Sequence, residues 1–158
     1  MQELLTAAAL LGERLRSRGE TVAVAESSAG GLLAAALLAQ PGASAFFRGG
    51  AVVYTAEARA GLLGVTRAEM AGLRGATEPY ALLLARRVRE RLGATWGMAE
   101  TGAAGPTGNR YGDAPGHSCL AVAGPVELTR TIATGDAERA ANMRRFAAAA
   151  LALLAETL

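Results

Sequence analysis

Apolar positions along the chain alternate between two spacings, and the alternation outlines most of the fold. Leu4, Ala8, Leu11 and Leu15 recur at helical spacing over residues 2–18, and Gly19 stands where a helix would stop. Val22 to Ala25 is a run too short and too rich in valine for a helix, so it predicts a strand. The segment from about Gly31 to Leu38 consists of strong helix formers and ends at the turn cluster Gln40-Pro-Gly-Ala-Ser44. Residues 45–54 read as a second strand, with Gly49-Gly50 as a bulge or a close backbone approach. Thr55 caps a short helix that carries Glu57 and Arg59, and Thr66 is expected to cap another over residues 67–73. Pro79 suits the first turn of a longer helix with Ala81, Leu84, Val88 and Leu92 on one face, closed by Gly93. Residues 95–100 predict a third strand. A hairpin over 118–123 and 126–133 turns at Gly124-Pro125, and a last helix, expected to be capped by Asp136, carries Met143, Ala147, Ala150 and Leu154.

This order places helices on both faces of a mixed sheet of about five strands in one domain spanning residues 1–158. A chain of that length buries about two-thirds of its unfolded surface around a single core. Aromatic residues are only 4% of the composition, so the core must be built from Ala, Leu and Val. No apolar run is long enough to span a bilayer, and the first residues lack the basic start of a signal peptide, so a cytoplasmic protein with no membrane partner is expected. The single cysteine, Cys119, and single histidine, His117, offer no set of metal ligands. All sixteen basic residues are arginine. A net charge of +2 gives no reason to expect a nucleic-acid partner, and Arg86, Arg87, Arg89 and Arg91 read as a solvated helix face.

Three strand ends carry unusual chemistry. The first strand runs into Glu26-Ser27-Ser28-Ala29-Gly30-Gly31 before a helix, where free backbone N–H groups and the helix dipole favour an anion. The second ends at Tyr54. The third ends at Thr101-Gly-Ala-Ala-Gly105, followed by a long glycine- and proline-rich loop. Ligands of α/β sheets bind at the carboxyl edge, where Ser27, Tyr54 and Thr101 would converge.

These stretches resemble a known family, the nicotinamide mononucleotide deamidase domain, which also forms the carboxy-terminal domain of CinA competence/damage-inducible proteins. Ala25-Glu-Ser-Ser-Ala-Gly-Gly31 is similar to a family Ala-Glu-Ser-Cys-Thr-Gly-Gly. Val53-Tyr-Thr-Ala-Glu-Ala-Arg59 is similar to Thr-Tyr-Ser-Asn-Glu-Ala-Lys, and Thr101-Gly-Ala-Ala-Gly-Pro106 to Thr-Gly-Ile-Ala-Gly-Pro. Leu63-Gly-Val65 and Gly75-Ala-Thr-Glu-Pro79 complete a resemblance covering nearly the whole chain.

The resemblance implies a three-layer α/β/α sandwich, a homodimer, and metal-independent, cofactor-free hydrolysis of the carboxamide of a small nucleotide to the acid and ammonia. It makes Ser27 the nucleophile, Tyr54 its hydrogen-bonding neighbour and Arg59 the occupant of a catalytic lysine position. Glu26, Ser28, Gly30, Gly31, Thr101, Gly102 and Gly105 are then expected to bind substrate. Arginine stays protonated in essentially any site and cannot take the serine proton as a lysine can. A substitute base would have to come from Tyr54, Glu57 or His117. The alternative is an impaired domain that keeps a nucleotide-shaped cleft for binding. An arginine that the family places just after the aspartate is replaced by Ala137, with Arg139 or Arg144 as possible substitutes.

Overall fold

A computed structural model describes residues 1–158 and shows a five-stranded mixed sheet with helices on both faces. The helices are α1 (Gln2–Arg18), α2 (Leu32–Leu38), α3 (Ala56–Leu63), α4 (Glu78–Leu92) and α5 (Arg139–Ala155). The strands are β1 (Val22–Glu26), β2 (Phe47–Val52), β3 (Trp96–Ala103), β4 (His117–Ala123) and β5 (Glu127–Ala133), arranged β2-β1-β3-β4-β5. β1 lies parallel to both β2 and β3, while β4 and β5 run antiparallel to their neighbours. The carboxyl ends of β2, β1 and β3 therefore share one edge.

The two-residue period of the strands sorts the core into two layers. Val22 and Val24 of β1, Trp96 and Met98 of β3 and Leu120 and Val122 of β4 face the layer formed with α1, α2 and α5. Ala23, Ala25, Ala99, Ala121 and Ala123 face the other, with Leu84, Ala85 and Val88 of α4. That second face is nearly all alanine, which lets α4 approach closely: a Cβ added at Gly97 would lie 2.0 Å from the Ala85 carbonyl oxygen. Both faces of β1 are buried, which explains its continuous apolar run.

Several local expectations need correction. Residues 67–73 form successive turns rather than a helix; Thr66 and Glu69 do make reciprocal capping bonds, but Gly72 at φ 77° breaks the following backbone path. The second strand begins at Phe47, since residues 43–45 are a turn of 3₁₀ helix. The last helix is capped by Glu138, whose carboxylate accepts from the Ala140 and Ala141 N–H groups, and not by Asp136. Phe46 is wholly buried in the core beneath Arg16. No helix is long and apolar enough to cross a membrane.

Candidate functional site

β1 ends in a turn that two buried carboxylates hold in place. Glu26, 1% exposed, accepts hydrogen bonds from the N–H groups of Gly31, Leu33 and Ala34 at 2.8–3.0 Å. It thus satisfies the amino end of α2, and Gly30 and Gly31, with φ of 68° and 97°, supply the left-handed turn that brings this end back to it. Glu26 is an internal anchor for the turn. Burial pushes its carboxyl above the ordinary range, against the pull of those N–H donors.

The second carboxylate, Glu100 of β3, is fully buried and was not singled out from the sequence. It accepts from the Ser27 N–H at 3.2 Å, the Ala29 N–H at 2.7 Å, the Ser28 hydroxyl at 2.5 Å and the Ser118 hydroxyl at 3.2 Å. Burial again drives the carboxyl upward, opposed by these four donors. One sequence signal does mark it: an acid inside an otherwise apolar strand, one residue before Thr-Gly.

Ser27, Tyr54, Arg59 and Thr101 meet at a cavity of about 550 Å³ on the carboxyl edge, together with Glu57, Tyr80 and Arg110. Gly102 also lines it. The Ser27 hydroxyl makes no hydrogen bond within the protein. Thr101 is more committed: its hydroxyl accepts from the N–H of Ala76, a non-glycine residue at φ 55°. His117 Nε2 lies 2.9 Å from the Ala76 carbonyl oxygen, so His117 braces this wall from behind and is outside the lining. That location removes it from the candidate bases. Glu57 is the single carboxylate that lines the cavity.

Arg59 reaches in from α3. Its Nη1 lies 3.4 Å from the Tyr80 hydroxyl, its guanidinium carbon is 5.6 Å from the centre of that ring, and its buried Nε has no hydrogen-bond partner. A buried N–H without an acceptor is costly, so the position favours a ligand oxygen. Opposite, Arg74 grips Asp113 through two bonds of 2.7 and 3.2 Å, and Asn109 accepts from the Tyr111 and Asp113 N–H groups. Arg110 and Tyr111, within this clasp, line the cavity.

A smaller cavity of about 190 Å³ adjoins the first and shares Tyr54, Gly102 and Asn109 with it. Ser28, Gly105 and Arg139 line it as well. Arg139 donates to the Gly105 carbonyl at 2.7 Å and lies 3.5 Å from the Tyr54 hydroxyl, whereas Arg144 is elsewhere, near Met1. Of the two arginines considered, Arg139 is therefore the one at the site.

The fold and cleft define a class: an α/β sandwich with a serine-bearing turn at the carboxyl edge of its parallel strands. The sequence model of the CinA C-terminal domain matches residues 5–158, and the chain belongs to that family. A CinA-like protein of Gloeobacter violaceus is 45% identical over 114 residues, which are 72% of this chain and 26% of that protein. Another, from Anaeromyxobacter dehalogenans, is 41% identical over 149 residues, 92% of this chain and 36% of the relative. The chain thus spans about a quarter to a third of the length of these relatives. A competence-damaged protein (CinA) superfamily structure from Escherichia coli superposes with a TM-score of 0.91 at 26% identity, covering 98% of this chain and 90% of that one. A competence/damage-inducible protein from Agrobacterium tumefaciens gives 0.90 at 29%, covering 98% and 94%.

Proposed function

We propose that the larger cavity binds a nucleotide of the nicotinamide mononucleotide class and that Ser27 attacks its carboxamide. The observation that carries this reading is the unbonded Ser27 hydroxyl in the same cavity as Tyr54, Arg59 and Thr101. The Ser27 oxygen bonds to the carboxamide carbon and its proton passes to Glu57. The C–N bond then breaks, and ammonia leaves with a proton. Water hydrolyses the resulting ester, giving the nucleotide acid and restoring Ser27. The proposed reaction needs neither metal nor cofactor and belongs to pyridine nucleotide salvage in the cytoplasm.

One observation favours a second reading, in which binding has outlasted catalysis. Arg59 is a fixed cation where the family resemblance calls for a proton acceptor, and its unpartnered Nε suits a carboxylate or phosphate oxygen. Ammonia release from nicotinamide mononucleotide, measured beside calorimetric binding and with a chelator present, separates the two. Release that is abolished by Ser27→Ala and indifferent to the chelator supports hydrolysis. Binding without release supports the second reading, and neither binding nor release refutes both.

A further inference from the structure

The smaller cavity has chemistry of its own. Ser28 lines it, and the Ser28 hydroxyl is bonded at 2.5 Å to Glu100, a carboxylate with no exposure to solvent. All four groups around Glu100 are donors, and the two backbone N–H groups can only donate. That arrangement fits an ionised carboxylate accepting the Ser28 proton. The same cavity is lined by Arg139, its one charged side chain, whose Nη2 lies 3.5 Å from the Tyr54 hydroxyl.

We propose that Ser28 and Glu100 form a nucleophile and base pair, separate from Ser27, that acts on a small ester or carboxamide carrying an anionic group held by Arg139. The volume of about 190 Å³ lies below the roughly 300 Å³ at which sites for drug-sized ligands begin, so the acyl group must be small. As the Ser28 oxygen bonds to the carbonyl carbon, its proton moves to Glu100. Glu100 returns that proton to the leaving oxygen or nitrogen as the C–O or C–N bond breaks. Water then attacks the acyl-serine, Glu100 takes the water proton and passes it to the Ser28 oxygen, and the acid departs. A carboxylate suits this work when its affinity for protons is lifted toward neutrality, as burial lifts that of Glu100. The charged group facing it is Glu26, buried on the adjacent strand, whose own proton affinity Glu100 lifts further. Ser118 faces it from β4 as a neutral donor.

The pair can be tested without knowing the natural substrate, so its fate is independent of the nucleotide reading. Methanesulfonyl fluoride is small enough for the cavity and reports a nucleophilic serine: the Oγ–S bond forms, the S–F bond breaks, and the serine proton passes to the base. Trypsin releases residues 19–48 as one peptide, and fragment-ion mass spectrometry distinguishes a label on Ser28 from one on Ser27. We expect labelling at Ser28, absent in Ser28→Ala and slowed about 100-fold or more in Glu100→Gln. In the native protein the labelling rate should fall as pH drops through a titration above the ordinary carboxylate range, a readout that does not depend on any variant folding. A native protein that is unlabelled, a label confined to Ser27, or a rate independent of pH would overturn the proposal. So would a folded Glu100→Gln protein labelled at the native rate.

Discussion

Replacing Arg59 by lysine measures what a proton acceptor at that position would add to the proposed transfer to Glu57. Arg59 sits in the cavity with Ser27, its Nη1 3.4 Å from the Tyr80 hydroxyl and its Nε buried without a partner. A lysine side chain is one atom shorter than arginine, so its ammonium would end near the present guanidinium carbon, 5.6 Å from the centre of the Tyr80 ring and one bond beyond the buried Nε. Desolvation there lowers a lysine pKa and lets the neutral amine accept a proton, which arginine does not do. A positioned general base is worth a factor of about 10²–10⁴ in rate. That is roughly 3–5 kcal/mol of barrier at about 1.4 kcal/mol per tenfold. Ammonia release from nicotinamide mononucleotide, followed by a coupled dehydrogenase, should rise in Arg59→Lys by at least the lower part of that range. Ligand affinity should fall, because a bidentate cation has been lost. No gain in Arg59→Lys, with native release that survives in Arg59→Ala, would refute this reasoning and show that proton transfer to Glu57 needs no second base.

Three further outcomes follow from the structure. Glu26→Ala strips the acceptor from three N–H groups at the start of α2; relief of a buried charge offsets part of the loss, leaving about 2–4 kcal/mol of destabilisation and a Tm lower by roughly 5–15 °C in a thermal melt. Burial raises the carboxyl affinity of Glu26 and Glu100 for protons, so the stability they contribute is complete at or below the ordinary carboxylate value and lost as pH rises through the raised values. Glu20, Glu78 and Asp113 are shifted downward by hydrogen bonds and charges, and their contribution is lost as pH falls below that value. Urea melts should therefore place maximum stability on the acid side of neutrality, near pH 5 by the ordinary values of about 4, and Glu100→Gln should flatten the decline toward pH 8. Homodimerisation is proposed from the family resemblance; exposed Leu10 beside the apolar groove between α1 and α5 offers a surface, and a monomer mass by light scattering at micromolar concentration would reject it.

The fold was legible where one physical rule acted alone. Helical spacing marked α1 and α4, and glycines at φ 64° and 58° end both helices where the sequence places them. The turns at residues 67–73 misled because a correct local signal was not continued: the capping pair at Thr66 and Glu69 forms, but the backbone bonds that follow, Met70 to Arg67, Ala71 to Ala68 and Leu73 to Met70, each span three residues, and Gly72 leaves helical backbone at φ 77°. The start of α5 was misplaced for a related reason. Asp136 and Glu138 are both acids ahead of an apolar stripe, and only the structure shows that Glu138 turns onto the free N–H groups while Asp136 pairs with Arg145.

The candidate site was legible as residue types at strand ends, which is why Ser27, Tyr54 and Thr101 could be named before their positions were known, while Arg59, on α3, came from the family resemblance. The roles of their neighbours depended on contacts between strands. Glu26 and Ser28 belong to one motif in the sequence, yet Glu26 spends its carboxylate on the amino end of α2, while the Ser28 hydroxyl bonds across the sheet to Glu100. That partner is 72 residues away, and it reaches the turn because β1 and β3 lie parallel side by side. His117 looked suited to proton transfer by chemistry alone, but the antiparallel register pairs it with Ala103 and directs its ring to the Ala76 carbonyl. A sequence identifies groups capable of acid–base work. Which of them can exchange a proton with a particular serine is decided by strand order, and here that order sets a carboxylate against Ser28 and a guanidinium in the cavity of Ser27.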